Sequence, residues 1–119
     1  MFSIDSMSQV PVYEQLVNQI ERFILLGALK NGDSMPSVRG LSVELSVNPN
    51  TIQKSYSELS SKGILFSVPG KGLFVSENAK DIIGGKKREN LQEFKKMVSE
   101  LKLAGITVDE LISIVRESE

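Results

Sequence analysis

Glycine and proline constrain this chain more than any other residues do. Gly27, Gly32, Pro36, Pro49, Gly63, and then Pro69, Gly70 and Gly72 interrupt every periodic stretch before it can become a long helix or a broad strand. Only short helices and a small hairpin fit between them. Tyr13, Leu16, Val17, Ile20, Phe23 and Ile24 recur at helical spacing, with Ser8 as a candidate cap, Pro11 in the first turn and Gly27 as the stop. The run NGDSMP (31–36) reads as a turn. Ser37 then caps a short second helix that buries Val38, Leu41 and Leu45. After a very short turn, Asn48 caps a third helix and Pro49 takes its first position, where a missing N–H costs nothing. Ile52, Tyr56 and Leu59 form its inward face, and Gly63 ends it. ILFSV (64–68) and LFVS (73–76) are β-prone and joined by PGKG, a tight turn with Lys71 at its tip.

Beyond residue 76 the chain becomes charged and helical. Leu91, Phe94, Val98 and Leu101 follow a 3-4-3 spacing, a short a/d seam that Met97 and Ala104 widen. Gly105 breaks this helix. Thr107 and Glu110 make a capping box for a last helix with Val108, Leu111, Ile112 and Val115 on one face. Gly84-Gly85 reads as a kink or hinge between hairpin and seam. The predicted fold class is α+β, mostly α: residues 1–76 form three helices and a hairpin, and residues 77–119 a two-helix segment. The seam has two readings at this point, packing on its own domain or on a partner chain.

Composition excludes more than it suggests. The chain has no cysteine and no histidine, so disulfides, thiol chemistry, zinc sites and most nucleophile–base pairs are absent. The carboxylates are scattered rather than paired. No catalytic residue, metal ligand or cofactor is therefore expected, and no enzyme. No apolar run approaches the ~20 residues that span a bilayer. MFSIDSMSQ lacks the basic and apolar regions of a secretory signal, so a cytoplasmic, membrane-free protein is expected. Net charge is −1 and the pI is near 5.6, which does not announce nucleic acid. Residues 1–76 hold six bases and six acids, and residues 77–119 hold eight and nine. Only 37–72 is biased, with Arg39, Lys54, Lys62 and Lys71 against Glu44 and Glu58.

The local pattern carries the functional reading. Three helices with a tight second turn, then a hairpin, is the order of a winged helix-turn-helix, whose third helix enters the major groove. The leading face of that helix, Asn50, Thr51, Gln53 and Lys54, contains no acid. Asn and Gln suit adenine, Thr a thymine methyl, and Lys a guanine or phosphate. The helix N-terminus attracts phosphate by its free N–H groups and dipole. Each residue also has a plainer role. Asn48 is first a helix cap. Tyr56 faces inward and belongs foremost to the core, with its hydroxyl in reach of a phosphate as the second reading. Arg39, Lys54 and Lys71 can be ordinary surface bases, and PGKG only a turn. Their order and spacing are stronger together than singly.

At this point the sequence resembles the DNA-binding domain of GntR-family bacterial transcription regulators. The likeness runs over 11–75 through GDSMPSVRGLS, VNPNTIQKSY and GKGLFV. The VNPNT form and a tail ending LAGITVDELISIV resemble the YtrA subfamily, in which the tail is two dimerisation helices instead of a large effector domain. The resemblance implies that Arg39 contacts a guanine or nearby phosphate and that Ser37 caps its helix and touches phosphate. It places Asn48, Asn50 and Thr51 at the polar start of the recognition helix, with Gln53 and Lys54 next outward. Tyr56 would pack under the helix and touch backbone, and Gly70 and Lys71 would form the wing tip. Leu91, Phe94, Val98, Leu101, Leu111, Ile112 and Val115 would carry dimerisation. Many members have arginine where this chain has Pro49 or Gln53, so base preference need not follow theirs. Gly84-Gly85 replaces a more usual unbroken helical stretch.

The expected function is a homodimeric, sequence-specific regulator of transcription, more in the manner of a repressor, binding a two-fold symmetric operator in double-stranded DNA. The resemblance implies that the controlled genes include a transporter operon and the regulator's own gene. A small-molecule effector is left open, with a site at the dimer interface or near Gly84-Gly85. The competing expectation is a winged-helix module that docks a protein partner and binds no specific DNA. Arg39 and Lys54 separate the two, since docking has no need of both.

Overall fold

A computed structural model describes residues 1–119, in two compact units, Met1–Gly84 and Gly85–Glu119. The elements run α1 (Val12–Leu26), α2 (Val38–Leu45), α3 (Pro49–Ser61), β1 (Leu65–Val68), β2 (Gly72–Val75), α4 (Ala79–Arg88), α5 (Asn90–Leu103) and α6 (Val108–Glu117). No helix is long and apolar enough to cross a membrane.

In the first unit α1 buries Leu16, Val17, Ile20 and Ile24, the stripe its periodicity predicts. Pro11 rather than Ser8 precedes its first turn, with extended backbone and no side-chain cap. The Ser8 hydroxyl instead accepts the Val10 N–H at 3.1 Å, so the expected cap is a local turn. Gly27 closes the helix at φ +83°, a left-handed conformation suited to glycine. Ser37 caps α2 by accepting the Gly40 N–H, and Asn48 caps α3 by accepting the Asn50 N–H at 2.8 Å. Between them Ser46 adopts φ +54°, the only residue other than glycine with positive φ. That conformation costs roughly 1–2 kcal/mol. The Ser42 hydroxyl, donating to the Val47 carbonyl, helps hold the turn.

α1 and α2 both pack on α3, and Leu16, Ile20, Leu41, Ile52, Tyr56 and Leu59 meet in one core. Gly63 (φ +79°) turns the chain into the hairpin. β1 and β2 pair antiparallel, with Leu65 opposite Val75 and Phe66 opposite Phe74. The connection bends at Pro69-Gly70. The Lys71 N–H reaches the Val68 carbonyl at 2.9 Å and Gly70 sits at φ +77°, the arrangement of a type II turn.

Two expectations change here. The 31–36 run is more than a turn. Met35 N–H donates to Leu73 O at 2.8 Å and Val75 N–H to Asp33 O at 2.9 Å, with Ser34 bridged to Phe74. The loop thus covers the open edge of β2. Gly84-Gly85 does not break the helix: both lie inside α4, and the helical interruption falls at Glu89, between α4 and α5. The expected hinge position nonetheless coincides with the boundary between the two compact units, which falls between these two glycines. The start of α4 is tied to the first unit, because Ala79 and Ile83 belong to its core. The compact unit therefore runs past the composition change at residue 76.

In the second unit, Gly105 (φ +96°) separates α5 from α6. Thr107 Oγ1 accepts the Glu110 N–H at 3.2 Å, the threonine half of the expected capping box. Neither α5 nor α6 contains a buried residue.

Candidate nucleic-acid interface

Helix α3 divides cleanly. Ile52, Ser55, Tyr56 and Leu59 are buried, while Asn50, Gln53, Lys54 and Ser57 are exposed on the other side. Thr51 is half-buried. The exposed face holds no carboxylate through its first two turns. Gln53 Nε2 donates to Ser57 Oγ at 3.0 Å, an i,i+4 bond that orients the amide. Asn48 uses its side-chain oxygen on the helix and keeps its amide donors free.

Helix α2 packs on α3. Ser37 Oγ is engaged as an acceptor by Gly40 N–H at 3.0 Å, which leaves its own hydrogen to donate. Arg39 is exposed and makes no ion pair. The one salt bridge in the chain joins Lys62 to Glu21 at 3.6 Å. Lys62, counted in the basic window, is thus committed elsewhere, and Arg39, Lys54 and Lys71 remain unpaired. Gly70 and Lys71 are exposed in the hairpin turn.

Tyr56 is set apart from the other candidates. It is 2% exposed, and its hydroxyl donates to the Pro36 carbonyl at 2.7 Å. Burial pushes its phenol well above the ordinary value. The hydroxyl faces the loop ahead of Ser37 and Arg39, not the open face. The first reading of Tyr56, as a core residue, holds. The second, a hydroxyl reaching phosphate, is corrected: the hydroxyl is engaged inside the fold, where it ties the approach to α2 onto α3, because a buried phenol needs a partner there.

One residue of the site escaped the sequence reading. Lys54 Nζ lies 3.8 Å from the ring centroid of Tyr13. By spacing alone Tyr13 belongs to the apolar stripe of α1. Its half-burial, with a cation above the ring, is a fact of tertiary packing that spacing within one helix does not carry.

In the second unit the seam residues are turned outward. Leu91 (57%), Phe94 (52%), Leu101 (37%), Ile112 (41%) and Val115 (58%) are exposed, and Val98 and Leu111 are half-buried. Phe94, Val98, Leu111, Ile112 and Val115, with the stems of Lys102 and Arg116, line an apolar groove of about 370 Å³ between α5 and α6.

The architecture matches known proteins. The family model described as bacterial regulatory proteins, gntR family, matches residues 12–75. This chain belongs to the GntR family. The HTH-type transcriptional repressor YtrA of Bacillus subtilis (strain 168) is 36% identical over 118 residues, covering 98% of this chain and 91% of that protein. A GntR family transcriptional regulator from Listeria monocytogenes superposes with a TM-score of 0.76 at 32% identity, over 98% of this chain and 100% of that one. AraR(DBD) in complex with operator ORX1 superposes with a TM-score of 0.57 at 29% identity, over 64% of this chain and 96% of that one. This GntR chain is a DNA-binding transcription regulator of the YtrA type, with double-stranded DNA as its partner, and not an enzyme. Its likeness to YtrA continues through the tail, beyond the family-wide 12–75.

Proposed function

We propose that this regulator is a cytoplasmic repressor that binds a two-fold operator as a homodimer, the tail helices pairing the subunits. Among the genes it controls we place a transporter operon and its own gene. The observation that carries the DNA reading is the acid-free exposed face at the start of α3, on the helix against which α2, with its unpaired Arg39, is packed. In this reading Arg39, Asn50, Thr51, Gln53 and Lys54 reach base edges or adjacent phosphates. Ser37, Asn48, Gly70 and Lys71 hold the sugar–phosphate backbone.

Dimerisation explains how so few bases suffice. Each phosphate neutralised contributes roughly −0.9 to the log–log salt slope, so one subunit alone is a weak binder. Two subunits double the contacts and fix half-sites about one helical turn apart. The exposed apolar rows of α5 and α6 supply the surface, since a contiguous patch of that kind on a monomer marks an interface. The name of the YtrA relative, a repressor, supports the direction of control.

The test is selection from a random duplex pool by the full chain. Enrichment of an inverted repeat, lost with Arg39→Ala, is the expected outcome. An enriched single half-site would remove the two-fold reading, and no enrichment would remove the operator reading.

A further inference from the structure

The lysine of the recognition helix is held by a ring from another helix. Lys54 Nζ stands 3.8 Å from the Tyr13 ring centroid, inside the ~6 Å reach of a cation–π contact. Tyr13 is itself held at its backbone. Ser55, fully buried, donates its hydroxyl to the Tyr13 carbonyl at 2.9 Å while lying 3.2 Å from the Thr51 carbonyl. Two consecutive residues of α3 thus grip one residue of α1, Lys54 at the ring and Ser55 at the carbonyl.

We propose that Tyr13 is a positioning residue for DNA recognition, its ring holding the Lys54 ammonium ready on the DNA-facing side of α3. The inference rests on the reading of Lys54 as a DNA contact. A carboxylate in the place of Tyr13 would also immobilise the lysine, but it would cancel the charge that phosphate or guanine is to meet. A neutral ring immobilises it and leaves the charge intact. Lysine has three donors, and a ring beneath the ammonium occupies one side of it only. Part of the side-chain entropy that an unrestrained lysine would lose on contacting DNA is already lost in the free protein.

The test measures binding of the selected operator duplex by fluorescence anisotropy for the full chain. The variants are Tyr13→Phe, Tyr13→Leu and a ring-fluorinated phenylalanine at position 13, each with Lys54 and with Lys54→Gln. With Lys54 present, Tyr13→Leu is expected to weaken binding roughly two- to fivefold, the size of an exposed cation–π contact. Tyr13→Phe should retain affinity. The fluorinated ring, equal in shape but poor in π charge, should behave like leucine. With Lys54→Gln in place, all three should bind alike. Equal losses in both backgrounds would overturn the proposal in favour of a purely structural role. So would full affinity of Tyr13→Leu beside a weakened Lys54→Gln. The fluorinated variant keeps the packing and decides the matter even if Tyr13→Leu unfolds. If Lys54→Gln by itself leaves both affinity and salt slope unchanged, Lys54 is no DNA contact, and that reading falls together with the proposal.

Discussion

At the scale of single residues, the site depends on side chains that do structural work next to side chains that stay free. Tyr56 is the clearest of the first kind. Its hydroxyl bond to Pro36 spans the gap between α2 and α3, and loss of one such bond costs about 1 kcal/mol. Tyr56→Phe should therefore lower stability by about that amount at neutral pH, read from the midpoint of urea unfolding. The raised phenol gives a second signature. Below the ordinary value of 10.0 the group is neutral both folded and unfolded, so it confers no pH dependence. Above that value the unfolded chain ionises while the folded one holds the proton. The folded state then binds more protons, and stability falls by about 1.4 kcal/mol for each further pH unit. This part of the alkaline loss should vanish in Tyr56→Phe; an unchanged alkaline slope would mean that the phenol is not buried as described. Arg39 represents the second kind, with no carboxylate to satisfy it. Its candidacy was readable from the motif, whereas the freedom of Lys54 from any acid, and its seat on Tyr13, were not. Both depend on which helix lies opposite, and no local pattern specifies that.

At the scale of elements, two kinds of helical glycine behave oppositely. Alanine ordinarily stabilises a helix interior by about 1 kcal/mol over glycine. At Gly84 and Gly85 an added Cβ meets nothing within 4 Å, so alanine at either should raise helix content and thermal midpoint. At Gly40 the Cβ would stand 2.9 Å from Ser37 Oγ, the atom that caps α2. Gly40→Ala should gain nothing, since the cap it displaces is worth about 1 kcal/mol. In a Ser37→Gly background the same change should stabilise. A Gly40→Ala protein stabilised as much as Gly84→Ala would show that the cap carries no weight. Much of the element order was legible because it is local: Asn48-Pro49, Ser37, Gly27 and Gly63 specify caps and stops by their own chemistry. The cover of β2 by the 33–35 stretch was not, because a polar loop shows its pairing only when its partner strand is in place. The continuity of α4 was hidden for a related reason. Buried Ala79 and Ile83 anchor the start of a helix that its two glycines disfavour.

For the whole molecule, the chain presents an acid-free polar face on α3 in one unit and exposed apolar rows on α5 and α6 in the other, the DNA-reading and subunit-pairing surfaces of the proposed function. A near-neutral protein of this size gains specificity if its few free bases are confined to the reading face and the second copy is supplied by the tail. Leu101→Asp places a charge in the seam. It should halve the mass seen by light scattering and cost most of the operator affinity, while far-UV circular dichroism stays unchanged. A dimer that survives the substitution would move the interface elsewhere. The claim on which everything else stands is that the α2–α3 face reads a DNA sequence, and operator anisotropy at two salt concentrations, for wild type and Arg39→Ala, tests it most directly. Tight, salt-sensitive binding that outlasts competitor DNA, weakened by about 1–3 kcal/mol in the variant, is the expected result. Binding no tighter than to random duplex, and indifferent to Arg39, would contradict it.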